Sequence, residues 1–215
     1  MSLWAIVPVK PLNRAKSRLA EVLTPEQRYQ FAATMLRHVL SVVTGVSQVT
    51  GTLVISRDTK ALSIARDIGA KTIQESNTSD LNLALTRATE VVRAWGANAV
   101  LILPADLPFI THEDIESIAD MGQEHHAIVI STDHELEGTN ALLVRPAGLI
   151  PYMYGENSYD LHIQAAQQSG AQIKYFSSET MMLDIDIPED LEKYNQIVDK
   201  GHLDLLPPFL PDIAT

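Results

Sequence analysis

Short apolar runs alternate with longer segments of helical periodicity through much of this 215-residue chain. Each run has the length of a buried strand, and the residues after it are apolar at helical spacing. Strand, helix and strand in succession is the pattern of parallel strands joined by helical crossovers. The sequence therefore predicts an α/β fold, a mostly parallel sheet with helices on both faces, whose first strands are residues 3–7, 52–56, 71–73, 99–103 and 127–131.

Local signals mark where the helices begin. Thr24 is followed by Pro25 and, three positions after the cap, by Gln27, which together predict a capping box with proline in the first helical turn. The second half of the chain is less regular, with strands expected at 141–144 and 172–176. The remaining helices are predicted at 60–68, at 81–95, from about 111, at 158–168, and in a last segment that ends near Gly201.

The length favours one domain rather than two. We predict a single domain over residues 1–200 and a proline-rich tail at 201–215, which packs on the domain or on a partner subunit. Tyr152, Tyr154 and Tyr159 are interpreted as either the rim of a pocket or a dimer contact. A homodimer is therefore an open alternative.

The charge balance argues against a nucleic-acid partner. Asp and Glu number 27 against 16 Lys and Arg, and the formal net charge of −11 repels phosphate backbones. The chain has no cysteine, which excludes disulfides, thiolate metal sites and cysteine nucleophiles. The sequence shows neither a signal-peptide pattern nor the roughly 18 apolar residues needed to span a bilayer. We expect a cytoplasmic protein that acts on neither membranes nor nucleic acids.

Positive charge is concentrated directly after the first predicted strand. Lys10, Arg14, Lys16 and Arg18 all lie within residues 8–19. Many α/β proteins present phosphate-binding groups between a strand and the next helix. Four charges alone are equally consistent with a solvated loop, so the choice depends on residues elsewhere in the chain.

Acidic residues in two places supply complementary chemistry. Asp106 follows the strand at 99–103, where α/β sheets place ligand contacts. Asp184 and Asp186 alternate with apolar residues, so an extended segment would project both carboxylates from one side. Taken singly, these residues are more typical of helix caps and turns. Together the three carboxylates would need a cation, and oxygen-only ligands favour Mg²⁺.

Five further observations concern motifs rather than single residues. The motifs are Pro8-Val9-Lys10 with Ala15-Lys16-Ser17-Arg18-Leu19, and the segments 80–85, 104–108, 138–142 and 184–191. In register from about residue 3 to about residue 200, they resemble the guanylyltransferase family of coenzyme F420 biosynthesis. That family lies within the nucleotidyltransferases resembling molybdenum cofactor guanylyltransferase, most of which carry a glycine-rich loop instead of the Ala-Lys-Ser-Arg-Leu form.

The resemblance implies a fold and a reaction. The fold is a Rossmann-like sheet of the nucleotidyltransferase type. The reaction is the Mg²⁺-dependent transfer of GMP from GTP to a phosphorylated three-carbon acid, with release of pyrophosphate. The acid is phosphoenolpyruvate in many bacteria and 2-phospho-L-lactate in archaea, and the start of this chain, which contains Trp4, resembles the bacterial members.

The resemblance also implies roles for ten residues. Those that would hold Mg²⁺ are Asp106, Asp184 and Asp186. Those that would neutralise the triphosphate are Lys10, Lys16 and Arg18, and the nucleoside contact would be Asn82. Those that match contacts to the acceptor acid are Thr139, Gly155 and Ser158.

The segment 155–162 departs from the family pattern. Gly155, Ser158 and His162 fit it, but Glu156 and Asp160 add negative charge beside a site for an acid. The identity of the acceptor therefore stays open. Two alternatives also stay open: cytidylyl or uridylyl transfer to another phosphorylated acceptor on the same fold, and a nucleotide sensor that has lost turnover.

Overall fold

One mixed sheet organises the computed structural model, and it has seven strands within the described residues, 2–75 and 80–199. Its order is β3-β2-β1-β4-β6-β5-β7. All strands are parallel except β6, which runs antiparallel to β4 and β5. The bounds are β1 Leu3–Val9, β2 Val49–Ser56, β3 Lys71–Gln74, β4 Ala99–Ile102, β5 Ala127–Thr132, β6 Thr139–Arg145 and β7 Gln172–Tyr175. The predicted mostly parallel sheet is confirmed.

The helices begin where the capping signals indicate. The Thr24 hydroxyl accepts a hydrogen bond from the Gln27 backbone, and the Gln27 side chain accepts one from the Thr24 backbone, which completes the predicted capping box. Thr111 and Asp114 form the same box before the fourth helix. The bounds are α1 Pro25–Gly45, α2 Thr59–Asp67, α3 Leu81–Ala94, α4 His112–Met121, α5 Ser158–Gln168 and α6 Pro188–Asp199.

Alternation along β1 shows that helices cover both faces of the sheet. Leu3, Ala5 and Val7 pack in one apolar cluster with residues of α1, α2 and α4. Trp4 and Ile6 pack in a second cluster with residues of α3 and α5. Successive side chains of a strand point to opposite faces, so the two clusters lie on opposite sides of the sheet.

The sheet brings several chain segments together at one end of its strands. The carboxyl ends of β1, β2, β3 and β4 lie at that end because these strands are parallel. β6 begins there because it is antiparallel. Its register pairs Ile102, the last residue of β4, with Leu142, so β6 begins with Thr139 at the same end of the sheet as the loop after β4. Ligands of open α/β sheets bind at the carboxyl ends of the strands, at the point where the order of the strands changes direction. Here that point lies between β1 and β4.

A third apolar cluster fixes the segment before α6. Leu183 and Ile185 are buried against residues of α1, whereas Asp184 and Asp186 are only half-buried. The segment belongs to no strand, but buried and half-buried residues alternate along it. The two carboxylates therefore project from one side, as the alternating sequence predicts.

Two sequence predictions fall wholly or partly outside the described residues. The proline-rich tail, 201–215, is one of them, and so is the predicted end of the last helix near Gly201. Within the described ranges, no helix combines the length and hydropathy needed to cross a membrane.

Candidate active site

The basic loop after β1 is anchored to the fold rather than free in solvent. It contains two short 3-10 turns, Leu12–Arg14 and Ser17–Leu19, and both Leu12 and Leu19 are buried. The Leu12 backbone N–H donates to the Asp58 carboxylate at 2.8 Å. Lys16 adopts a left-handed conformation, with φ of 55°, between the two turns. The loop is thereby held in one shape.

Lys16 points inward and joins two of the predicted metal ligands. Its ammonium lies 2.8 Å from Asp106 Oδ2 and 3.0 Å from Asp186 Oδ1, and its side chain is only 4% exposed. Burial lowers the pKa of Lys16, but the two carboxylates raise it by more, so the net shift is upward. The lysine stays charged, and a solvated loop does not describe this residue.

The third carboxylate, that of Asp184, lies near the other two. In the part of the chain that the structure describes, no hydrogen bond joins Asp184 to Lys16. Burial, Asp106 and Asp186 together raise the pKa of Asp184 to about 6. Burial also raises the pKa of Asp186, but Lys16, with help from Lys10 and Arg18, outweighs it and holds that pKa below its usual value. Three carboxylates thus share one buried ammonium.

This donor set has the chemistry of a site for a hard divalent cation. It offers carboxylate oxygens only, and its negative charge exceeds the positive charge that Lys16 supplies. Within residues 2–75 and 80–199, however, no three acidic or histidine side chains already stand at the spacing of a metal cage. The residues fit a cation by charge and ligand type, with Lys16 between two of them.

A cleft of about 280 Å³ opens beside Lys16. Lys10, Lys16, Asp106 and Asp186 are among its charged lining residues. Its other lining residues come from the basic loop, from α1, from the ends of β2, β3 and β4, and from the start of α3; they include Met35, Arg57, Glu75 and Leu81. The exposed side chains of Lys10 and Arg18 lie within electrostatic reach of Asp186. The cleft suits a long polyanion with an apolar or aromatic end.

Asn82 occupies a place that the sequence did not suggest. Its side-chain amide donates to the Tyr154 carbonyl at 3.1 Å and accepts from the Tyr154 N–H at 2.8 Å. The neighbouring Leu81 lines the cleft, but Asn82 does not. Asn82 thus ties the start of α3 to the loop that precedes α5.

Two of the three predicted acceptor residues, Thr139 and Ser158, meet beside one buried imidazole, and none of the three lines the cleft. Thr139 Oγ1 accepts from Ser158 Oγ at 3.1 Å and lies 3.0 Å from His162 Nδ1. His162 Nε2 accepts the Met153 N–H at 2.9 Å, two positions before Gly155. Gly155 is exposed and has φ of 141°, a conformation that favours glycine.

Two polar residues that the sequence analysis did not single out orient the acidic segment. The buried Asp190 carboxylate accepts the N–H groups of Asp186 and Ile187, both at 3.1 Å. Asn140, also buried, donates to the Met181 carbonyl at 2.9 Å. Their position in motifs shared with the family was the available signal. Together they fix the segment that carries Asp184 and Asp186.

Comparison with known proteins shows the family of this chain. The model of the family described as "Guanylyl transferase CofC like" matches residues 3–199. The chain belongs to this family. The resemblance found in the sequence motifs is therefore confirmed, and the protein is a member of a family of nucleotidyltransferases.

The names of similar proteins mention two different acceptor acids. The chain is 39% identical over 193 residues to the phosphoenolpyruvate guanylyltransferase of Rubrobacter xylanophilus, covering 90% of this chain and 93% of that protein. It is 31% identical to the phosphoenolpyruvate guanylyltransferase of Chloroflexus aggregans, covering 87% and 94%. It is 33% identical to the 2-phospho-L-lactate guanylyltransferase of Methanocaldococcus infernus, covering 86% and 81%.

Solved structures share the fold at low sequence identity. A Desulfovibrio desulfuricans structure assigned as a nucleotide-diphospho-sugar transferase superposes with a TM-score of 0.80 at 14% identity, covering 96% of this chain and 92% of that one. A Methanothermobacter nucleotidyl transferase gives 0.66 at 14% identity, covering 94% and 99%. The predicted nucleotidyltransferase fold is confirmed.

Proposed function

We propose that the protein transfers GMP from GTP to phosphoenolpyruvate, or to 2-phospho-L-lactate, and releases pyrophosphate, as a step of coenzyme F420 biosynthesis. Membership of the guanylyltransferase family and the names of relatives across most of the chain support the reaction. The structural observation that carries it is the buried Lys16, which joins Asp106 and Asp186 in the lining of a cleft large enough for part of a nucleotide.

The reaction needs charge neutralisation more than proton transfer. An oxygen of the acceptor phosphate forms a bond to the α-phosphorus of GTP, and the bond from that phosphorus to the β-phosphate oxygen breaks. The acceptor phosphate is mostly dianionic near neutral pH, because its second pKa is about 6, so it can attack without a general base. The barrier then lies in bringing two polyanions together and stabilising the pyrophosphate that leaves.

Three basic residues support this proposal. We assign Lys10, Lys16 and Arg18 to the triphosphate, because the first two line the cleft and all three act on the Asp186 carboxylate. A nucleoside contact by Asn82 stays a prediction, since its amide already holds the Tyr154 backbone. The nucleoside would then lie along the part of the cleft that contains Leu81.

We propose Mg²⁺ as the cofactor, held by Asp106, Asp184 and Asp186. The excess of carboxylate over ammonium charge in this cluster supports a divalent cation. When bound, the ion would neutralise phosphate oxygens as charge develops on the leaving group. Lys16 contributes in the same direction from within the protein, because it stays protonated between two carboxylates.

We place the acceptor near Thr139, Ser158 and Gly155. β6 begins with Thr139 at the end of the sheet where the loop after β4 carries Asp106, so an acceptor held there would lie at the same end of the sheet as the acidic cluster. Phosphoenolpyruvate is the favoured acceptor because the Rubrobacter relative, at 39% identity, carries that name. Cytoplasmic location and a homodimer stay predictions.

Pyrophosphate release tests this function directly. The purified protein is incubated with GTP and Mg²⁺ and with phosphoenolpyruvate, 2-phospho-L-lactate or no acceptor. We expect release that needs both GTP and one acceptor. Parallel reactions with CTP and UTP test the alternative bases. Tight GTP binding without release under any condition would instead indicate a nucleotide sensor.

A further inference from the structure

His162 is a fully buried histidine whose two ring nitrogens have different partners. Nε2 accepts the backbone N–H of Met153 at 2.9 Å, and Nδ1 lies 3.0 Å from Thr139 Oγ1. The ring also packs edge-on against Tyr154, with centroids 4.9 Å apart. The mechanism above gives this residue no role.

The Met153 contact decides where the ring proton resides. A backbone N–H can only donate, so Nε2 must be unprotonated to accept it. Burial lowers the pKa of His162 to about 4, despite the opposing effect of the Ser158 carbonyl, so the ring is neutral at physiological pH. A neutral ring with a bare Nε2 carries its proton on Nδ1, facing Thr139.

The proton on Nδ1 in turn orients the Thr139 hydroxyl. That hydroxyl cannot donate to a protonated nitrogen, so its oxygen faces Nδ1–H as an acceptor, beside the Ser158 carbonyl that also interacts with the ring. The same oxygen accepts from the Ser158 hydroxyl. Its own hydrogen is therefore directed away from both partners, which leaves it for an acceptor such as a phosphate oxygen.

One imidazole thus connects the three elements expected to surround the acceptor. It contacts Thr139 at the start of β6, it contacts Met153 two positions before Gly155, and it lies one helical turn after Ser158 on α5. Thr139 begins β6 at the end of the sheet where the loop after β4 carries Asp106.

We propose that His162 is a positioning residue for the acceptor, which sets the hydroxyl orientation of Thr139 and the position of the loop before α5 as a neutral, Nδ1-protonated ring. The proposal rests on the proposed function for the identity of the ligand. In this proposal His162 does not itself touch the substrate. Its substitution should therefore change the affinity for the acceptor but not the affinity for GTP.

Two substitutions separate the two ring contacts. His162→Gln places an amide oxygen where Nε2 accepts the Met153 N–H but loses the donor to Thr139. His162→Asn keeps a donor near Nδ1 but loses the acceptor for Met153. His125→Gln, at an exposed position, is the matched control. Urea unfolding of each variant establishes that it is folded.

Steady-state kinetics give the first readout. For His162→Gln we expect the KM for phosphoenolpyruvate to rise ~10- to 100-fold, the scale of one unpaired buried polar group, with the KM for GTP unchanged. His162→Asn should recover part of that loss. Thr139→Val should abolish the effect of a further His162→Gln change, because the two residues act through one hydrogen bond. Equal effects on both KM values, or none, would overturn the proposal.

Two further measurements keep the inference separate from the reaction. Nitrogen-15 NMR of the labelled wild-type protein should show Nδ1 protonated and Nε2 bare, and the reverse tautomer contradicts the proposal. If the wild type releases no pyrophosphate, the proposed function fails. The affinity of the same variants for phosphoenolpyruvate, measured by calorimetry, then decides the role of His162: a ~10-fold weaker affinity in His162→Gln supports it, and an unchanged affinity overturns it.

Discussion

Lys16 and Asp106 are 90 residues apart in the sequence, yet the Lys16 ammonium lies 2.8 Å from the Asp106 carboxylate. The contact joins the loop after β1 to the loop after β4, across the point where the strand order reverses. A buried ammonium is costly unless it is paired, and here it is paired twice, since Asp186 lies at 3.0 Å. The candidate active site is therefore also a tertiary contact.

Removal of the Lys16 charge should affect turnover more than folding. We expect Lys16→Gln to lower kcat/KM at least ~100-fold, the scale of losing one preorganised group that stabilises developing charge. The loss of stability should be smaller, on the order of 1–2 kcal/mol, because both partner carboxylates stay partly exposed and solvated. Lys71→Gln, on the exposed edge of β3, is the control. Turnover within threefold of the wild type would contradict the assigned role.

Asp184 should reduce the stability of the metal-free protein. Its carboxylate lies near two others, with one buried ammonium among the three. Asp184→Asn removes that repulsion, so we expect the melting temperature in EDTA at pH 8 to rise by a few degrees, about 2–4 °C for each 1 kcal/mol gained. Turnover should be lost in the same variant. Glu116→Gln, at an exposed position on α4, should change neither quantity.

We expect Glu75 to select guanine as the base of the nucleotide. Its carboxylate lines the same cleft as Lys16, and burial raises its pKa although Arg57 opposes the shift. Guanine presents two adjacent N–H donors, which a carboxylate can accept together. We expect the wild type to prefer GTP over inosine triphosphate, which lacks one donor, and Glu75→Gln to reduce that preference ~10-fold or more. An unchanged ratio would exclude this role, and Glu90→Gln on α3 serves as the control.

His162 should make the folded protein less stable at acid pH. Its pKa falls from about 6.5 in the unfolded chain to about 4 in the fold. The unfolded state therefore binds the proton more readily, so stability is complete above pH 6.5 and is lost as the pH falls towards 4. The loss is on the order of 3 kcal/mol at most. In urea titrations, His162→Gln should be less stable at pH 7 and nearer to wild type at pH 4.5, whereas His125→Gln should follow the wild type.

The fold could be predicted from local patterns because those patterns have local causes. The Thr24 capping box depends on residues three apart, and the alternation of Leu183 and Ile185 with Asp184 and Asp186 sets which carboxylates are exposed. The direction of β6 could not be inferred in this way. An antiparallel strand inside a parallel sheet depends on pairing between distant segments, and its apolar residues look the same in either direction.

The site could be predicted in composition but not in geometry. The motifs identified Lys16, Asp106 and Asp186, yet no pattern indicates that the lysine turns inward to lie between the two acids. Asn82 shows the same limit, because its bonds to Tyr154 depend on a loop 72 residues away. His162 was noted only as part of a motif, since the tautomer behind its proposed role depends on the Met153 backbone.

The most direct test of GMP transfer follows the oxygen atoms of the acceptor. Phosphoenolpyruvate with three ¹⁸O atoms in its non-bridging phosphate positions is incubated with GTP, Mg²⁺ and the wild-type protein, and the products are analysed by mass spectrometry. We predict an adduct of GMP and phosphoenolpyruvate that keeps all three labelled oxygens, together with unlabelled pyrophosphate. Labelled pyrophosphate, or GTP consumption without any adduct, would contradict attack of the acceptor phosphate on the α-phosphorus.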